Sequence, residues 1–172
     1  MSENAESGAV GGLIALFAAE PARARATFGS ETTLAEGLRA EVNSRQHTIV
    51  IDEPTALGGT DTGPNPVEAV LSGLVSCQAI SYKVWAAKLG IALEGVTVEA
   101  EGSIDLLGFF GIDDHVRPGY DGVQLKVSLS GPESPERYHE LADAVDAHCP
   151  VLDNLRNPVP VSRTLVEAAI TH

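Results

Sequence analysis

The chain has 172 residues, 44% of them hydrophobic and 20% charged, which is enough apolar material to bury the core of one globular domain. Eleven lysines and arginines stand against 24 aspartates and glutamates, a net charge of −13 that repels phosphate backbones and anionic lipid and so excludes nucleic-acid and membrane partners. No apolar run approaches the roughly 20 residues that cross a bilayer. The acidic opening MSENAE, with no Lys or Arg before Arg23, lacks the positive segment of a secretory signal, and a cytoplasmic protein is expected.

Residues 1–28 read as an alanine-rich helical arm interrupted at Pro21. From Glu31 the pattern shortens to alternating segments, Leu34–Val42 and His47–Asp52, expected to form a β-hairpin joined at Asn43-Ser44. Glu53 to Pro66 is crowded with Gly, Pro, Asp and Thr and reads as a loop. It lacks the Gly-Lys-Ser/Thr ending of a nucleotide-binding loop, so a tight connection is the better reading.

The loop delivers the chain to the best-defined helix. Asn65 suits the N-cap, Pro66 the first helical position, Glu68 the reciprocal place of a capping box, and Gly90 the stop. Its apolar positions fall on most faces, so it is expected to be central, covered by a sheet on one side and by something else on the other. Gly95–Asp105 and Gly122–Gly131 alternate with period two as strands, and the connection between them carries Phe109 and Phe110. Ser134 and Pro135 begin a second helix, Pro150 interrupts it, and Val159–Ala168 is expected to close the chain as a strand. The order β-β-α-β-β-α-β predicts an α+β domain.

Two cysteines, Cys77 and Cys149, make neither a disulfide framework nor a structural zinc site. The five histidines show no metal spacing, and there is no Gly-x-Ser-x-Gly elbow. Cys77 lies mid-helix on a face with Gly73, Leu74, Ile80 and Ser81, where an apolar environment alone keeps a thiol protonated. Cys149 directly precedes Pro150 and can cap the following turn, whose backbone N–H groups favour a thiolate. From the residues alone, a redox pair and two structural thiols are equally good readings.

The segments Gly63–Tyr82 (GPNPVEAVLSGLVSCQAISY), Val116–Tyr120 (VRPGY) and Ala147–Val161 (AHCPVLDNLRNPVPV) resemble the OsmC/Ohr family of osmotically inducible and organic hydroperoxide resistance proteins. The resemblance covers about Leu38 to Val166, which divides the chain into an N-terminal arm, 1–37, and an OsmC-like domain, 38–172. It implies an intertwined homodimer in which sheets wrap two central helices, with no metal or organic cofactor. It further implies reduction of organic hydroperoxides: Cys77 attacks the O–O bond and becomes a sulfenic acid, Cys149 resolves it to a disulfide, and a dithiol reductant restores both.

In such proteins an Arg held by a Glu ionises the attacking thiol. The place matching that Glu is Val67 here, while Glu68 lies nine residues before Cys77, about 180° away around a helix. Glu68 is therefore a candidate both for the site and for the helix cap. Arg45, upstream of the helix, is the candidate cation, with Arg39 as alternative; each also reads as a solvated charge. Phe109, Phe110 and Tyr120 suit either an apolar substrate pocket or a subunit contact. The rival function is a non-catalytic binding protein on the same scaffold, since a fold does not fix its chemistry.

Overall fold

The computed structural model describes residues 3–166, with side chains from Gly8 onward. Helix α1 (Glu3–Ala19) ends before Pro21, which opens a short 3-10 turn, and packs against helix α2 (Pro66–Leu89). Three antiparallel strands follow, β1 (Glu31–Leu34), β2 (Ala40–Ser44) and β3 (His47–Ile51), in the order β1-β2-β3. The expected hairpin differs in two ways. Its first segment is split by a turn at Gly37, with φ +68, and the tight turn falls at Arg45-Gln46 rather than Asn43-Ser44. Asn43 and Ser44 are habitual turn residues, but here side-chain bonds hold them in the ladder: Thr48 Oγ1 donates to Asn43 Oδ1 at 2.7 Å, and Ser44 bonds the Ser30 hydroxyl.

The chain then turns sharply around a buried carboxylate. Asp52 accepts from the Glu53 backbone N–H and from both the N–H and the hydroxyl of Thr60 and of Thr62. Gly59 and Gly63 let the loop close: a Cβ on either would lie within 2.4 Å of a backbone carbonyl oxygen, that of Glu53 or of Val50. The glycine-rich stretch is thus the tight connection its composition suggests, and it aims the chain at α2. There Asn65 Oδ1 accepts from the Glu68 N–H at 2.8 Å while the Glu68 carboxylate accepts from the Asn65 N–H at 2.9 Å, a complete capping box. Gly90, with φ +64, ends the helix in the left-handed conformation.

Strands β4 (Gly95–Ser103) and β5 (Gly122–Ser130) pair antiparallel along their whole length, Gly95 opposite Ser130 and Ser103 opposite Gly122. Alternate residues face inward, so the pairs Val96–Leu129, Val98–Val127 and Ala100–Leu125 form one apolar face. A single turn, α3 (Leu106–Phe109), interrupts their connection, capped by Asp105. Helix α4 (Pro135–His148) starts on the Ser134 cap, and α5 (Pro150–Arg156) follows without a loop.

The core forms where α2, α4 and α5 meet the β4–β5 face. One cluster gathers Tyr82, Ala86, Ile91, Leu93, Leu141 and Val145; a second gathers Leu74, Cys149 and Leu152, with Cys77, Ala100, Val123 and Leu125 beside it. The buried stripe of α2 is Leu74, Gln78, Tyr82 and Ala86 at helical spacing. Helix α1 covers part of the remaining surface of α2, but among the described residues nothing covers Ile80, which is 65% exposed, so the second covering layer expected for this helix is incomplete within the chain. No residue of β1–β3 joins either cluster.

The expected closing strand does not form: Val159–Val166 has no regular structure, and Val161 is 91% exposed. Alternation signals a strand only where a ladder partner exists, and no strand of the described chain pairs with this segment. Glu167 and Ala168, the last residues of that expectation, lie outside the described residues. Among the described residues no helix is long and apolar enough to cross a membrane.

The Thr60 hydroxyl first, and then the N–H and hydroxyl of Thr62 and the N–H of Glu53, hold the Asp52 carboxyl well below the usual carboxylate range against the opposing effect of burial. A lowered folded pKa stabilises the fold fully above about pH 4, where the unfolded carboxylate is ionised, and that stabilisation fades as pH falls below it. Asp52→Asn is therefore expected to unfold at lower urea concentration than the parent at pH 7, with the gap narrowing between pH 4 and pH 2. Parallel urea titrations across that range check it; a constant gap contradicts it.

Candidate active site

Cys149 occupies a joint between two helices. Its N–H donates to the Val145 carbonyl at 2.9 Å as the C-cap of α4, and its own carbonyl accepts from the Asp153 N–H at 2.9 Å as the N-cap of α5. Pro150 enforces this arrangement, because a residue before proline is driven out of the helical region, and Cys149 has φ −75 and ψ 113. The break turns the thiol inward against Leu74, leaving Cys149 1% exposed.

Cys77, half-buried on α2, meets it there. The two sulfurs are 3.4 Å apart although the residues are 72 apart in sequence, and both thiols are free. A disulfide needs about 2.0 Å, so the two sulfurs are close to, but not at, bonding distance. Two donors face the Cys77 sulfur: the backbone N–H of Val151, in the first turn of α5, and the hydroxyl of Ser81, one turn along α2. Both favour the thiolate. They are outweighed by burial first, and then by the Cys149 thiol, so the Cys77 pKa is raised above its ordinary value.

The remaining candidates lie elsewhere. Glu68 is exposed and engaged in the capping box, and its carboxylate makes no bond to either thiol. Arg45 sits exposed at the tip of the β2–β3 hairpin with φ +58, and Arg39 pairs with Glu41 at 2.7 Å. The single chain brings together the two cysteines but not the Glu and Arg expected to support them. Sequence reasoning placed Ser81 on the Cys77 face without giving it a role, although its spacing of four residues was the available signal. It did not foresee the Val151 N–H, which depends on how α5 packs. It also missed a stack beside the site. The Trp85 ring lies 4.2 Å from that of His148, the residue before Cys149, with Lys88 Nζ 3.8 Å over the indole.

A cleft of about 880 Å³ runs beside the second core cluster, lined by Val67, Leu74, Tyr120, Leu152 and Leu155 and by the charged pair Arg156 and Asp146. Tyr120 lines it and donates to the Val67 carbonyl at 2.7 Å, tying the loop before β5 to the first turn of α2. Gly102 makes room for this tie, since a Cβ there would come 2.7 Å from the Tyr120 ring. Phe109 and Phe110 pack edge-on to each other, stay exposed and do not line the cleft.

A family model described as OsmC-like protein matches residues 59–163, more than half of the chain and the whole of this site. The chain belongs to the OsmC-like family. Solved structures share the fold. The OsmC-like protein of Mycoplasma pneumoniae has a TM-score of 0.67 at 22% identity, over 77% of this chain and 89% of that one. An organic hydroperoxide resistance protein, OsmC, of Legionella pneumophila has 0.58 at 22%, over 77% and 91%. The organic hydroperoxide resistance protein OhrB of Bacillus subtilis has 0.55 at 22%, over 77% and 93%. No curated protein matches the sequence significantly.

The Cys149 thiol raises the Cys77 pKa both as a hydrogen-bond partner and as a charge. In Cys149→Ala the Cys77 thiol is therefore expected to ionise at lower pH than in the reduced parent. Thiolate absorbance near 240 nm, followed through a pH titration of both proteins, checks the direction. An unchanged or higher midpoint contradicts it.

Proposed function

We propose that this OsmC-like protein is a thiol-dependent peroxidase acting on organic hydroperoxides in the cytoplasm. The single observation that carries the reading is the contact between the two sulfurs at 3.4 Å, one half-buried with two donors and the other sealed in the core. The Cys77 thiolate attacks the distal oxygen of the hydroperoxide, the O–O bond breaks, and the alcohol leaves with a proton. Cys77 is left as a sulfenic acid. Cys149 then displaces its hydroxyl as water, forming the disulfide, and an external dithiol reduces the pair again. The solved relatives named for organic hydroperoxide resistance support the substrate class.

The raised Cys77 pKa asks for a cation, and among the described residues of the single chain none acts on the thiol. We place that cation on a homodimer. Among the described residues nothing covers Ile80 on α2 or the Val159–Val166 segment, the β1–β3 sheet joins neither core cluster, and Arg45 stands at the tip of its hairpin. Docking of a second copy on α2 carries Arg45 toward a cysteine pair and lowers the Cys77 pKa.

The reduced protein titrated with cumene hydroperoxide is expected to lose both thiols after one equivalent, with a change in the fluorescence of Trp85, the chain's one tryptophan. Cys77→Ser is expected to abolish the reaction, and Cys149→Ser to stop at a dimedone-reactive sulfenic acid. Arg45→Met is expected to slow the first step at pH 7 by about tenfold or more, the ordinary value of one charge-assisted contact. Thiols that survive excess peroxide would overturn the reading and make the cleft beside Leu74 the place to seek a bound small molecule.

A further inference from the structure

Among the described residues, Gln78 is the buried side chain whose polar atoms, Oε1 and Nε2, have no hydrogen-bond partner. It is 0% exposed. An unsatisfied buried amide costs about 1–3 kcal/mol, a cost that a leucine or methionine at this position would not carry. The residue directly follows Cys77 on α2.

Its surroundings follow from the helix. Leu74 and Tyr82, one turn to either side, belong to different clusters: Leu74 packs with Cys149 and Leu152, Tyr82 with Leu141 and Val145. Gln78 stands between them on the stripe, as the span from Val145 to the cap residue Cys149 lies between the α4 partners of Tyr82 and Leu74. At about 100° per residue, Leu74 lies about 60° around the helix from Cys77, and Gln78 about 40° further in the same direction. Cys149 touches both Cys77 and Leu74, so the Cys77 thiol flanks it on one side and the Gln78 stripe on the other.

Cys149 also needs something there. To resolve a sulfenic acid its thiol must lose a proton in a site with 1% exposure, and among the described residues no Lys, Arg or His bonds to its sulfur. We propose that Gln78 is the donor for the resolving step, its free amide N–H turning onto Cys149 Sγ as that thiol ionises. The proposal rests on the peroxidase reading. In the step, Cys149 Sγ attacks Cys77 Sγ, the S–S bond forms and the S–O bond breaks. The departing hydroxide combines with the proton from Cys149 as water. The hydroperoxide has already been reduced, so no further oxidant enters.

The test compares the parent with Gln78→Met, which keeps the volume and removes the unpaired amide, and with Gln78→Leu in case the first overpacks. Stopped-flow with cumene hydroperoxide separates formation of the sulfenic acid from disulfide closure. The first rate is expected to be unchanged within about twofold. Closure at pH 7 is expected to slow by at least about tenfold, with its pH profile displaced upward and a dimedone adduct accumulating on Cys77. Closure at the parental rate and pH profile overturns the proposal. So does a slowing that is equal at every pH and accompanied by a lower melting temperature, the mark of a packing role alone.

A second readout does not depend on the peroxidase reading. In a Cys77→Ala background, thiolate absorbance gives the ionisation midpoint of Cys149 directly, and Gln78→Met is expected to raise it by about one pH unit, the same tenfold factor. Equal midpoints overturn the role of Gln78 even in a protein that ignores peroxides. Conversely, a parent that forms no sulfenic acid while the midpoints differ removes the peroxidase reading and leaves Gln78 as the donor to Cys149.

Discussion

A proline that cannot continue α4 decides where the site is. Because Pro150 drives Cys149 out of the helical region, α4 ends and α5 begins on the same residue, and the thiol at that corner turns into the Leu74 cluster instead of toward solvent. The start of α5 is thereby aimed at Cys77, so the Val151 N–H is delivered by the same corner that delivers the second sulfur. A longer connection between the helices would have to rebuild both contacts separately.

Those parts of the fold that obey local rules were legible in the sequence. Asn65, Pro66, Glu68 and Gly90 announce α2 because caps act through neighbours a few residues away, and β4 and β5 show their period because one face packs on a helix. The turn of the first hairpin was misplaced because the bonds that keep Asn43 and Ser44 in the strand come from Thr48 and Ser30. Val159–Val166 was misread because alternation cannot say whether a partner edge exists. At the site, the family resemblance singled out both cysteines where the residues alone left a redox pair and structural thiols equal, and their meeting across 72 residues is a property of the tertiary fold. Nothing in the local pattern distinguished Gln78 from the apolar residues on its stripe.

The pattern of exposure has its own logic. Cys77 stands at the border between the packed stripe of α2 and the face that carries Gly73 and Ile80, so it is half-open while Cys149 is closed. In the proposed peroxidase reading a substrate meets Cys77 first, in keeping with its role there as the attacking thiol. The tie from Tyr120 to Val67, permitted by Gly102, holds the opposite edge of the helix and leaves that open side as the approach.

The span of chain between the two sulfurs carries a mechanical consequence. Bridging residues 72 apart would staple α2 to the corner of α4 and α5, and tethering a loop of that size restrains the unfolded chain by about 4 kcal/mol in the simplest entropic picture. The oxidised molecule would then be the sturdier one, and each reduction would return it to a looser form. Resistance to heat and readiness to be reduced are consequently opposed in such a molecule: whatever strengthens the staple also makes it harder to open.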